Sequence, residues 1–473
     1  MTTNTSARPR GHGSAASQPS VQVGPATERL RAIDSARGLA LLGIFLVNIA
    51  FFCYPFGEVV MPGTQPDESL PSRIVYHLIS TFCAGKFYAQ FSMLFGIGLI
   101  LQMTRVEARG HRFVPIYLRR LLFLLCIGFI HAVGIWYGDI LFTYAFAGLV
   151  LFFCRKFTGR MMLLTSMVLF LFAIVLSGLM SLIMTMSPPP TTPPADSNPT
   201  AIVATPDQAA HASSAPSDAP PAEASEWDKT PAGRLLNGFA QGTITAPQSE
   251  LWISLEREAY QNGPYSQAVI FRAIAWLNFL VFEILGFFWS VLALFFLGAG
   301  LFKLGLFDPR NIHWHRRFVA LGLMVGVPVA MAGSFITELT DKMFLISLVN
   351  GVSVYVAGPL MGLMYIGLMT LAVHHRAAKW LTSALANVGR MALTNYLMQS
   401  LIASYIFYWF GLGYFDKLPR STCALIVLGV FTAQVIFSNL WMSFFRIGPM
   451  EWLWRAFTYL SLPPVFREAP TRA

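Results

Sequence analysis

The run Leu39-Ala40-Leu41-Leu42-Gly43-Ile44-Phe45-Leu46-Val47-Asn48-Ile49-Ala50-Phe51-Phe52-Cys53-Tyr54-Pro55 carries a single amide, Asn48, and no charge. Wound as a helix at ~1.5 Å per residue it rises about 26 Å, close to the thickness of a bilayer's hydrocarbon core. Nine further apolar runs follow, near 79–102, 117–136, 140–154, 161–184, 275–300, 318–337, 343–373, 386–410 and 421–444. Hydrophobic residues make up 55% of the 473 and charged residues 12%, about half the share a soluble domain carries. With 40 Phe and 11 Trp there is too much apolar surface for one soluble core. The chain therefore reads as all-α: a polytopic membrane protein of about ten transmembrane helices, the eighth long enough to tilt or to break at Pro359.

Charge sets the orientation. An even number of spans sorts the connecting segments into two sets, and 24 basic residues fall on the side of the N-terminal tail against 8 on the other, with Lys86 inside a span. The positive-inside rule then puts both termini in the cytoplasm. The net charge of +10 is spent on that bias, so no nucleic-acid partner is expected. Residues 1–28 are polar and rich in Ser, Ala, Pro and Gly, and read as a disordered cytoplasmic tail, with the first apolar run as signal anchor. Residues 29–186 form a five-helix N-terminal half, 187–250 a Pro/Ala-rich extracytoplasmic linker, 251–460 a C-terminal membrane half and 461–473 a second cytoplasmic tail. Eleven prolines between 187 and 231 leave no periodicity for a core. A short amphipathic helix near 263–274 is expected on the outer surface. The five cysteines show no CxxC spacing, and neither a disulfide framework nor a metal site follows.

An ionisable group inside a span is costly unless it faces a cavity or a partner. Asn48, Lys86, His131 and Glu283 come from four different spans, and the topology sets each of them roughly 8–12 Å inside the outer boundary at ~1.5 Å per residue. Asp139 caps the turn above them. A base, an acid, a cation and an amide at one level are what proton transfer with charge stabilisation needs. His131 is the natural base, with Asp139 or Glu283 fixing its tautomer; its alternative role is a hydrogen bond between helices. Lys86 and Glu283 also read as a buried ion pair. A second polar layer lies at the cytoplasmic edge: Asp34, Arg37, Arg390, Glu451 and Arg455. Thr394, Asn395 and Gln399 follow on span nine, where i, i+4 spacing turns Asn395 and Gln399 inward on one face, toward a ligand or a neighbouring helix. No P-loop, HExxH or dinucleotide fingerprint is present, which argues against nucleotide hydrolysis.

Several segments resemble the YeiB-like bacterial membrane proteins. They are Ile33-Asp34-Ser35-Ala36-Arg37-Gly38 with Val47-Asn48, Phe91-Ser92-Met93-Leu94-Phe95-Gly96, and Gly128-Phe129-Ile130-His131 with Gly138-Asp139-Ile140-Leu141. In the C-terminal half, Gly389-Arg390-Met391-Ala392-Leu393-Thr394-Asn395-Tyr396 and Gly448-Pro449-Met450-Glu451-Trp452 resemble that family's domain of unknown function 418. The resemblance implies a multi-pass protein of the bacterial inner membrane. The opening Asp-x-x-Arg-Gly followed by an Asn in span one is also remotely similar to the heparan-alpha-glucosaminide N-acetyltransferase type of transmembrane acyltransferase. That likeness implies an acyl group carried from a cytoplasmic thioester to a glycan on the far side with a membrane-embedded histidine. This chain departs from it by having only His77 near the start of span two.

The leading functional expectation is accordingly a transmembrane acyltransferase in the lipid bilayer. Arg37, Arg390 and Arg455 would meet the phosphates of a donor such as acetyl-CoA, and His131 would deprotonate a glycan or small-molecule acceptor. No resident cofactor is expected, and the oligomeric state is left open. The alternative is a transporter whose Lys86, His131 and Glu283 form a proton-coupled site. One cavity joining the two polar layers favours transfer; two sealed half-cavities favour transport.

Overall fold

A computed structural model describes residues 26–60, 69–110, 112–186, 225–244, 247, 249–308, 310–340 and 342–466. The tail up to residue 25, most of the linker and residues 467–473 lie outside the described residues. All ten apolar runs are helical. α1 is Ala26–Cys53, followed by the short α2, Phe56–Val60. α3 (Leu70–Phe82) and α4 (Lys86–Glu107) share the second run, α5 (Phe113–Ile130) and α6 (Leu141–Phe153) form a hairpin, and α7 is Gly159–Met186. α8 (Pro231–Ala240) and α9 (Glu250–Asn262) lead into α10 (Tyr265–Phe282) and α11 (Phe288–Lys303). α12 (Ile312–Leu321), α13 (Val327–Leu339), α14 (Met343–Val352) and α15 (Gly358–His374) follow, then α16 (Lys379–Arg390), α17 (Ala392–Phe407), α18 (Arg420–Phe444) and α19 (Pro449–Tyr459).

Seven of these helical stretches are long and apolar enough to cross a membrane, and Leu141–Phe153, Tyr265–Val281 and Phe288–Lys303 are shorter apolar helices. The protein is a multi-pass membrane protein. Its outer face fits this: α7 exposes Leu164, Met167, Val168, Leu171 and Val175, a stripe suited to lipid. Single π turns follow α5 and join α10 to α11, α12 to α13 and α14 to α15. The last of these, Ser353–Ala357, sits just before Pro359, and the 31-residue helical stretch Phe344–His374 passes through both without breaking there. A π turn re-aims the side chains beyond it without ending the helix.

Three features depart from the sequence expectation. The ninth run breaks at Met391 (φ −110°, ψ 33°), which separates α16 from α17. α16 lies against α1, where Gly38 and Gly389 are obligatory: a Cβ on Gly38 would fall on the Leu385 carbonyl oxygen, and one on Gly389 on that of Asp34. The end of the expected linker is ordered, because Ala232 is buried and the apolar Leu235 and Ile244 join Trp252 in a core cluster. The Thr230 side chain caps α8 by accepting the Gly233 N–H at 3.1 Å, with Pro231 in the first turn. The amphipathic stretch at 263–274 is no separate surface helix but the opening of the continuous α10, since Phe271, Ala275 and Trp276 are buried on the same face as Ala268.

α8 and α9 cover the end of the bundle nearest the linker. There Arg257 ties α9 to Glu58 of α2 and, at 2.6 Å, to Asp416 after α17. Glu256 accepts the Phe56 N–H at 3.1 Å and the Trp252 indole N–H at 3.2 Å. Cys53 and Cys423 meet at the same end, their sulfurs 2.9 Å apart, and link α1 to α18.

Candidate functional site

The α5–α6 hairpin builds one end of the site. α5 runs on through a π turn, His131–Ile135, that closes with the Trp136 N–H on the His131 carbonyl at 2.8 Å. Three residues later Asp139 caps α6: its Oδ2 accepts the Phe142 N–H at 2.7 Å. That bond fixes the carboxylate so that Oδ1 lies 2.8 Å from His131 Nδ1, with both side chains fully buried. A carboxylate accepts only, so Nδ1 carries a proton, and in the neutral imidazole Nε2 then presents a lone pair. Nε2 points at Ser400 Oγ, 2.9 Å away on α17. Serine, imidazole and carboxylate thus stand in the order that activates a hydroxyl.

A cavity of about 1090 Å³ runs from this end of the bundle to the other. Near the hairpin its wall includes Asn48, Trp136, Tyr137, Asp139 and Tyr396. His131 lies one side chain behind that wall, its ring 5.1 Å from the ring of Tyr396 and 6.2 Å from that of Trp136. The middle is aromatic, with Phe87, Tyr88, Phe91, Phe95 and Tyr144. The far mouth, at the start of α1, is basic: Arg37, Arg105, Arg109, Arg120, Arg390 and Arg455 line it alongside Asp34 and Glu451.

At that mouth Arg37 pairs with Asp34 at 3.2 Å, and Arg390 donates to the Arg446 carbonyl at 3.0 Å. Arg120 holds Gln102 Oε1 at 2.8 Å and lies over the Trp454 ring. Glu451 does more than line the wall. Met391 has no side-chain acceptor to cap α17, and the carboxylate supplies one from α19: Oε1 takes the N–H groups of Leu393 and Thr394 at 2.7 and 3.1 Å, Oε2 the Thr394 hydroxyl at 2.6 Å. Burial pushes the Glu451 carboxyl above its usual range, although the bonds from Thr394 pull it down.

The residues singled out in the sequence therefore divide. His131 and Asp139 are in direct contact; Asn48 lines the same cavity as Asp139; Asp34, Arg37, Arg390, Glu451 and Arg455 share its mouth. Asn395 and Gln399 turn to α18 instead, bonding Ser438 Oγ and Gln434 Oε1, each at 2.9 Å. Lys86 is buried at the start of α4 and donates to the Ser80 carbonyl at 2.8 Å. The side chain of Glu283, in the π turn after α10, lies outside the described residues. His77 is held by Ser334 and Glu338 on the α3–α13 side of the bundle. Ser400 escaped notice because 269 residues separate it from His131; its one signal is its place at the end of the polar series Thr394, Asn395, Gln399.

The family model described as protein of unknown function (DUF418) matches residues 301–461. Nearly the whole chain is similar to the uncharacterized protein YxaH of Bacillus subtilis (strain 168), 30% identical over 452 residues, which covers 93% of this chain and 97% of that one. It is likewise similar to the uncharacterized protein YeiB of Escherichia coli (strain K12), 27% identical over 448 residues, 92% of this chain and 98% of that one. An uncharacterized 39.9 kDa protein from the amylase 3' region of Bacillus acidopullulyticus is 24% identical over 435 residues, 91% and 94% of the two chains. No solved structure matches the chain.

Proposed function

The chain belongs to the YeiB-like DUF418 family of membrane proteins, and from that premise we propose that it transfers an acyl group through the bacterial plasma membrane, from a cytoplasmic thioester to a hydroxyl or amine on the other side. The observation that carries this reading is the cavity, which joins an arginine-lined mouth to the wall in front of His131 without interruption. Guanidinium groups suit a donor's phosphates, because they offer planar, bidentate donors and stay charged. The aromatic middle suits the thioester arm, and the imidazole at the far end supplies the base. The 24 to 8 partition of basic residues supports a cytoplasmic mouth.

Acetyl-CoA is the first probe. A donor that binds only the native state raises the apparent melting temperature of the purified protein. The rise should saturate, weaken with salt and fall off in Arg37→Ala and Arg390→Ala, and free thiol should appear when an acceptor is supplied. Absence of both effects across short- and long-chain acyl-CoA, together with solute uptake by reconstituted vesicles, would replace transfer by transport.

A further inference from the structure

We propose that Ser400 is the nucleophile and carries the acyl group as a serine ester between donor and acceptor. The inference rests on the acyl-transfer reading and deepens it. If His131 acted directly on the acceptor, Nε2 would face the cavity. Instead it faces Ser400 Oγ at 2.9 Å, while Nδ1 is held by Asp139 and Asp139 is held by the cap of α6. A serine in an apolar helix ordinarily satisfies its hydroxyl on the carbonyl one turn back. Here that bond, to Tyr396, is the long one at 3.4 Å, and the short one goes to the imidazole. All three side chains are buried, so charge forming on the imidazole is stabilised by Asp139 with little screening by solvent.

The steps balance without a further reagent. Ser400 Oγ attacks the thioester carbonyl, the Oγ–C bond forms and the C–S bond breaks, and the hydroxyl proton passes to His131 Nε2 and leaves on the thiol. The acceptor hydroxyl or amine then attacks the serine ester, gives its proton to Nε2, and that proton returns to Oγ as the ester bond breaks. Ser400 is buried and does not itself line the cavity, whereas Tyr396, one turn earlier on α17, does, so the proposed step requires the Tyr396 side chain to move aside for the donor carbonyl.

The test is covalent labelling of the full-length protein with [1-14C]acetyl-CoA and no acceptor. The expected result is a burst of thiol, one per site, and an acetyl group on the peptide containing Ser400 that is stable to neutral hydroxylamine and lost in alkali. Ser400→Cys should move the label into a thioester that neutral hydroxylamine removes, a signature a structural role would not give. Ser400→Ala should lose transfer by at least ~10³-fold, and adding His131→Ala should cost little more, as for residues that act as a unit. An unlabelled Ser400 in a protein that still transfers acetyl overturns the inference and leaves acyl transfer standing. An unlabelled Ser400 in a protein that releases no thiol even after an acceptor is supplied overturns both. Because labelling is read on the unsubstituted chain, a variant that fails to fold does not decide the matter.

Discussion

His131 uses both ring nitrogens, and the two bonds make different demands on a replacement. Asparagine keeps hydrogen-bonding capacity but takes up no proton near pH 7. His131→Asn is therefore expected to lower activity by about 10²–10⁴-fold, the usual worth of a positioned acid or base, at near-normal membrane abundance. Asp139→Asn should lose activity on a similar scale, because an amide nitrogen facing Nδ1 favours the tautomer whose Nε2 carries the hydrogen and can no longer accept from Ser400. Full activity in His131→Asn would leave the residue as a bridge between α5 and α17 and nothing more. These partners differ in how they were legible. Asp139 follows His131 by eight residues on one turn, so their meeting could be read from the sequence. Ser400 comes from a helix in the other half, and its place at the end of the polar series on α17 does not point to His131.

The break at Met391 shows the same limit for an element. Hydropathy averages over turns, and Asn387 and Arg390 before Met391 are outweighed by the apolar residues that follow, so 386–410 reads as one span. What makes the break stable is distant: Glu451 caps α17 from α19. Glu451→Ala leaves two N–H groups and the Thr394 hydroxyl without their acceptor, at a cost of about 1–3 kcal/mol in stability. Glu451→Gln retains an acceptor and should recover part of it; equal melting temperatures for Ala and the unsubstituted chain would remove the cap from the account. The covering helix α9 supplies a pH dependence. Burial raises the Glu256 carboxyl from 4.5 to about 8, opposed by the bonds from Phe56 and Trp252 and reinforced by Glu58, with Arg257 acting the other way. The folded state thus holds a proton that the unfolded chain has released, so stability falls as pH rises from about 4.5 through 8. Melting curves of the solubilised protein should show that decline, and Glu256→Gln, which cannot ionise, should flatten it. An unchanged slope in Glu256→Gln assigns the dependence elsewhere.

The whole molecule joins a basic mouth to a buried base, and which of them faces the cytoplasm decides what each can bind. The helical architecture was readable because lipid imposes apolar length on the spans, whereas the covering helices α8 and α9 depend on a few buried contacts such as Phe239 against Trp252. The proline-rich linker should be expendable if cut short of Ser225, whose hydroxyl and N–H both bond Asp228 and order the turn into α8. Replacing 190–224 by a flexible spacer is expected to leave insertion and melting unchanged, and a chain that no longer reaches the membrane would make the segment structural. Orientation rests on the 24 basic residues gathered on the tail's side against 8 opposite. In a chain whose five native cysteines are replaced, Ser213→Cys should react with an impermeant maleimide on intact cells, and Ser14→Cys only after permeabilisation. The reverse pattern would turn the arginine mouth outward, away from any cytoplasmic thioester. A donor of that class would then have no access to the cavity, and the guanidinium groups would have to serve an anionic ligand from outside.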